Sequence, residues 1–178
     1  SATQTASATT TPSPTITPTV TSTPPPFTST PTEIPPTNTP QEPTMAFPDG
    51  RPLQFFYDTY SFYMWNPGGS NIPVGELSFQ GLDAAGNLTG ESFSGTTWAQ
   101  FYFAIEGGNC MSIEMTQAPA LLQPGVCRFY NARITPQRTS SMVFWNGDGN
   151  TTQFQINWGD QVIGICPAGE AECTVRVP

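Results

Sequence analysis

The first 44 residues set the limits within which the rest of the chain must fold. They comprise 16 Thr, 11 Pro and 5 Ser, and their only charges are Glu33 and Glu42. Such a segment has too little apolar side chain to offset the entropy of ordering it. Proline fixes φ and biases the residue before it toward extended geometry. The stretch "TPTVTSTPPPFTSTPTEIPPTNTP" (17–40) is therefore expected to be stiff and extended, spanning roughly 3.1 Å per residue. Threonine and serine interleaved with proline is also the composition of O-glycosylated stalks. On that reading Thr17, Thr19, Thr21, Thr23, Thr28, Thr30, Thr32, Thr37 and Thr39 are candidate glycosylation positions. The alternative is an unmodified linker.

Any core must then come from residues 45–178. Composition changes abruptly at Met45, near "MAFPDGRPLQFF", and twenty Phe, Trp and Tyr residues follow. A segment of that length and aromatic content can bury a substantial interior. The expected organisation is a stalk over 1–44 and one domain over 45–178.

Charge removes several classes of function. The chain has 13 acidic residues against five arginines (Arg51, Arg128, Arg133, Arg138 and Arg176), a net charge of −8. A phosphate-tracking surface needs clustered cations, so nucleic acid is not an expected partner, and an anionic membrane surface is disfavoured likewise. Histidine and lysine are both absent. General acid–base chemistry by histidine, Schiff-base chemistry and Ser-His-Asp or Cys-His nucleophiles therefore have no residues to work with. Paired carboxylates are the remaining route. Asp58, Glu76, Glu106, Glu114, Asp148 and Asp160 fall mostly at strand ends or in turns, where acids are ordinarily just solvated. The expectation is a non-enzyme with no cofactor.

The four cysteines, Cys110, Cys127, Cys166 and Cys173, permit three pairings. Sequence proximity favours Cys110–Cys127 and Cys166–Cys173, the second stapling a C-terminal hairpin. The first would close a loop of about 18 residues, which contributes on the order of 3 kcal/mol in the chain-entropy model. Free buried thiols are the alternative. Zinc is a weaker one, because there is no C-x-x-C pair and no histidine. Disulfides imply an oxidising compartment, hence an extracellular or cell-surface location. No apolar run approaches the roughly 18 residues of a membrane-spanning helix. The opening "SATQTASATT" suits either a processed N-terminus or a piece of a longer protein.

From residue 53 onward, short apolar runs alternate with turn signals. Strands are expected at 53–58, 60–66, 75–83, 98–106, 110–115, 127–134, 140–146, 152–158, 162–166 and 173–177. Stretch 98–106 could instead be a short helix. Turns are expected at "NPGGSN", "DAAGN", "EGGN" and "NGDGN". About nine short strands with Gly/Pro/Asn turns and no convincing helix argue for an all-β antiparallel sandwich. In "NGDGN", Asn146, Asp148 and Asn150 alternate oxygen-bearing side chains as calcium loops do. The segment equally suits a hairpin turn, so these three are weak metal candidates. Trp98, Trp145 and Trp158 sit in apolar runs and are expected in the core, with Trp65 the best candidate for an exposed sugar-stacking ring. Two N-x-S/T sequons, beginning at Asn87 and Asn150, fall at turns.

One stretch carries a family resemblance. "YSFYMWNPGGSNIPVGELSFQG" (60–81) resembles the opening of lamin-tail-type domains through Asn66, Pro67, Gly68, Ile72, Val74, Leu77 and Phe79. The resemblance implies an immunoglobulin-like sandwich. The layout of a Thr/Pro-rich stalk followed by a two-disulfide β domain is similar to the C-terminal extracytoplasmic regions of some bacterial surface proteins, including receptor-type Ser/Thr kinases. The functional expectation is a non-catalytic surface module that contacts a protein or glycan. The alternatives are the sensory ectodomain of such a kinase, or a subunit that self-associates into an extracellular filament.

Overall fold

The computed structural model describes residues 46–116, 123–169 and 171–178. The expected stalk and its nine candidate threonines lie outside the described residues.

Eleven strands and one helical turn make up the described chain. They are β1 (Arg51–Tyr57), β2 (Ser61–Trp65), β3 (Ile72–Pro73), β4 (Leu77–Leu82), β5 (Leu88–Ser94), α1 (Thr96–Ala99), β6 (Ala104–Ile105), β7 (Cys110–Glu114), β8 (Tyr130–Ile134), β9 (Gln153–Trp158), β10 (Gln161–Pro167) and β11 (Ala171–Val177). They form a five-stranded sheet ordered β11-β1-β2-β7-β8, a four-stranded sheet ordered β10-β9-β4-β5, and a minor pair β3-β6.

Side-chain parity explains how the two large sheets share one interior. Residues directly opposite on paired strands point to the same face. In the five-stranded sheet, Tyr57 is opposite Phe62 and Phe62 is opposite Ile113; Phe55 is opposite Met64 and Met64 is opposite Met111. These rows face the core. In the other sheet Phe79 lies opposite both Phe93 and Ile156. The rings meet across the gap: Phe62 and Phe79 lie 5.4 Å apart edge to face, and Phe55 and Phe79 lie 5.8 Å apart. Phe79 and Phe144 stack at 4.9 Å. Trp98 reaches the same cluster from α1, 4.5 Å from Phe93, and its indole nitrogen donates to the Ser112 carbonyl.

Parity also separates the two disulfides. Cys110–Cys127 and Cys166–Cys173 are both formed. Cys173 lies opposite Phe55 on the core side, and Cys166 lies opposite Phe154 on the core side of β10. The expectation that this cystine staples a hairpin within one sheet is therefore corrected. β10 and β11 are edge strands of different sheets, and their cystine joins the two sheets through the interior. Gly164 makes the approach possible, because a Cβ there would lie 2.5 Å from the Val175 side chain of β11. Cys110 points the other way, so Cys127 is tied over the outer face of the five-stranded sheet.

Three further expectations change. The sheets are not purely antiparallel, since β7 and β8 run parallel. A parallel neighbour needs a long crossover, which residues 115–129 supply. Residues 140–146 form no strand; the irregular segment instead inserts Val143, Phe144 and Trp145 as buried plugs, with Trp145 Nε1 donating to the Asp58 carbonyl at 2.9 Å. Residues 98–106 divide into the end of α1, a loop and the two-residue β6. That loop leaves Phe101 and Phe103 about 70% exposed. Strand β5 buries only Phe93 and otherwise holds Gly90, polar residues and the exposed Leu88, so it gave no period-two apolar signal in the sequence.

Phe79 touches five rings in the core, so truncation leaves a large cavity. Phe79→Ala is expected to lower unfolding free energy by about 3–5 kcal/mol. Urea titration under non-reducing conditions measures this; a loss near 1 kcal/mol would mean the sheets do not meet there.

Candidate functional site

The outer face of the five-stranded sheet carries an unusual row. Glu172 lies opposite Phe56, Phe56 opposite Tyr63, Tyr63 opposite Ser112 and Ser112 opposite Arg133. The row crosses all five strands on the side away from the core. Trp65, Cys110 and Tyr130 form the next rung on the same face. Phe56 packs 6.2 Å from Trp65, and Tyr63 packs 6.1 Å from Tyr130. Most antiparallel sheets with one solvated face would place small polar side chains here.

At the β1–β2 end of this face lies an open cleft of about 460 Å³. Its walls are formed by Phe56, Tyr57, Asp58, Ser61, Tyr63, Pro124, Ala171 and Glu172. Asp58 is held in place by the hairpin it closes. Its Oδ1 accepts from the Tyr60 and Ser61 amides at 2.7 Å each and from the Ser61 hydroxyl at 2.9 Å. This is the side-chain-to-backbone turn for which aspartate is favoured. Tyr57 donates to the Pro167 carbonyl at 2.8 Å.

Tyr63 is 2% exposed, and its hydroxyl has no hydrogen-bond partner among the described residues; neither do Tyr130 Oη and Trp65 Nε1. Three such groups on one sheet face are unusual, because buried polar atoms are nearly always paired. The Tyr63 phenol is pushed up to about 12 by burial and then by the nearby Glu114 carboxylate. Burial alone pushes Tyr57 up to about 12, and burial followed by Glu114 raises Tyr130. Glu114 is itself paired with Arg133 at 3.1 Å. The cleft wall thus offers two carboxylates, Asp58 and Glu172, neutral phenols and aromatic surface.

The residues singled out in the sequence fall elsewhere. Asn146 and Asp148 make a turn with Gly147 and Gly149 at φ +74° and +68°. Asp148 Oδ2 accepts from Arg138 Nη2 at 2.8 Å, Arg138 Nε at 3.1 Å and Asn146 Nδ2 at 2.9 Å. Among the described residues the Asp148 carboxylate is thus paired with a guanidinium, and the segment holding Asn146, Asp148 and Asn150 forms the turn that its sequence equally suits. Asn87 and Asn150 are both exposed. Asn87 Nδ2 donates to Asp83 Oδ2 at 3.1 Å, and the Asn87 side chain and amide hold the Asp83 carboxyl below its ordinary range. Trp98 and Trp145 are fully buried, and Trp158 packs against the core. Trp65 is half-buried rather than a free platform.

Asn66 is the residue whose role the turn composition only hinted at. It is fully buried, its Nδ2 donates to the Ser70 and Ile105 carbonyls at 2.8 and 3.1 Å, and its Oδ1 accepts from the Gly68 amide at 3.0 Å. It ties the 66–71 turn to β6. The cleft was missed because its residues come from three segments far apart in sequence. The one available signal was aromatic residues at outward as well as inward positions of 53–65.

Comparison with protein-family models and with curated proteins finds no match for this chain.

Tyr63→Phe removes a buried hydroxyl that lacks a partner, so it is expected to leave stability unchanged or raise it by about 1 kcal/mol. Denaturant midpoints decide this; a loss above about 1 kcal/mol would show that the hydroxyl is well bonded. A second expectation concerns alkaline pH. The unfolded tyrosines ionise near 10, whereas Tyr57 and Tyr63 in the fold ionise near 12. Below about pH 10 both states keep their protons and the contribution is complete; from about 10 to 12 the unfolded chain deprotonates first and stability falls. Tyrosinate absorbance should show a late-ionising group that merges with the rest on unfolding.

Proposed function

We propose that the chain is a non-catalytic extracytoplasmic β domain displayed on a Thr/Pro-rich stalk, acting as an interaction module. The observation that carries this reading is the use of all four cysteines as two cystines in one β-rich block, one joining the sheets and one pinning the crossover. Such pairs persist in oxidising compartments. A scaffold tied in this way resists unfolding outside the cell, where chaperones do not rescue it.

The finer reading of the architecture is an immunoglobulin-like sandwich related to lamin-tail domains. In its support, Ile72, Val74, Leu77 and Phe79 of the resembling stretch are all buried and Asn66 organises the turn beside them. The non-catalytic reading is supported by the chemistry of the cleft. Asp58 Oδ1 already accepts three hydrogen bonds, and the carboxylates keep no histidine or lysine company.

Intact mass of the natively produced protein tests the display reading. Four protons fewer than the reduced mass, together with a ladder of hexose increments on the tail, is the expected result. Four free thiols in cytoplasmic material would end it.

A further inference from the structure

We propose that the cleft between the β1–β2 turn and the start of β11 receives a cationic side chain, arginine or lysine, from a partner polypeptide. The proposal rests on the display reading above and names the ligand chemistry of the site.

The wall composition selects the charge. Asp58 and Glu172 contribute two carboxylates, and no basic residue lines the cleft. Two guanidiniums share this sheet face: Arg176, two rungs along β11 from Glu172, donates to the Gly50 carbonyl, and Arg133 is paired to Glu114 at the far side of the row. The chain as a whole carries −8, so the long-range field also draws cations and repels anions. Phosphate, sulfate and uronate ligands are disfavoured on these grounds.

Aromatic surface then favours an organic cation over a metal ion. Phe56 and the Tyr63 ring line the cleft beside the acids, and a guanidinium or ammonium over an aromatic face gains quadrupole attraction. Asp58 Oδ1 is taken by the turn, while Oδ2 has no bond among the described residues and is available as an acceptor. Bidentate or charge-assisted contacts of this kind are the stronger class of hydrogen bond.

The cation is expected from a different protein. The chain has no lysine, and among its arginines Arg51, Arg133, Arg138 and Arg176 already hold carbonyls or carboxylates of their own domain. Arg128 alone among the described residues is left to serve a second copy.

The test uses the full disulfide-intact chain, isotopically labelled, titrated with the peptide acetyl-Gly-Arg-Gly-amide. Its isosteric citrulline analogue and the neutral sugar cellohexaose serve as comparisons. The expected result is amide shifts confined to Phe56, Ser61, Tyr63 and Glu172 with the arginine peptide. The citrulline analogue should bind at least about tenfold more weakly, and added salt should weaken the arginine peptide. Glu172→Gln, an exposed position that leaves the turn intact, should raise Kd at least about threefold with an unchanged thermal midpoint. Equal binding of citrulline, shifts centred elsewhere, no effect of Glu172→Gln, no binding at all, or cellohexaose occupying the cleft instead would each overturn the proposal. None of these outcomes bears on the mass measurement, so the display reading stands or falls separately. Self-association abolished by Arg128→Gln would show that the occupant is a second copy and would also overturn it.

Discussion

The structure depends on ring-to-ring contact between two sheets that share few hydrogen bonds. Phe62 and Phe79 sit at the centre, with Phe55, Phe144 and Phe154 around them at centroid separations of 4.9 to 6.0 Å. Edge-to-face geometry dominates, as the quadrupoles of benzene rings favour. The two sheets bury their facing sides against each other, while β2 and β7 are buried on their outer side as well. The cystine between β10 and β11 closes one flank of this arrangement and the irregular 140–146 segment plugs the interior beside it.

Much of this was readable in the residues. Period-two runs such as Phe154, Ile156 and Trp158 in β9 and Leu77 and Phe79 in β4 identified strands because one face is buried and the other wet. Cystine pairing followed from proximity. What the sequence hid has physical causes. Strand β5 alternates polar residues with Gly90 and buries only Phe93, so its strand character comes from pairing with β4. The 140–146 run looked like a strand because it is apolar, yet its backbone is irregular: tertiary packing of Phe144 overrode local propensity. The parallel β7–β8 pair could not be read at all, since strand direction depends on where a crossover lands.

The candidate site was illegible for a related reason. Its carboxylates belong to a hairpin turn and to the last strand, 114 positions apart (172 − 58). Local reading classed Asp58 as a solvated turn acid, which describes Oδ1 and omits the second oxygen. Only strand order brings β11 beside β1 and places Glu172 across from Phe56. The oxygen-rich 146–150 segment forms a turn through Gly147 and Gly149 at positive φ, with its one carboxylate paired to Arg138.

The placement of β1 has a mechanical consequence. It lies between β11 and β2, paired on both sides, and Arg51 at its start donates to the carbonyls of Pro178 and Asn71. A pull between Arg51 and Val177, which lie opposite each other, would peel β1 from β11. Tension that enters at Arg51 and leaves at the cleft end of the strand, near Tyr57, runs along it, perpendicular to its interstrand hydrogen bonds. All the rungs on both flanks then bear load together in shear, instead of opening one at a time from an edge. A tethered domain pulled along that line behaves as a stiff anchor, yielding only when two ladders fail at once.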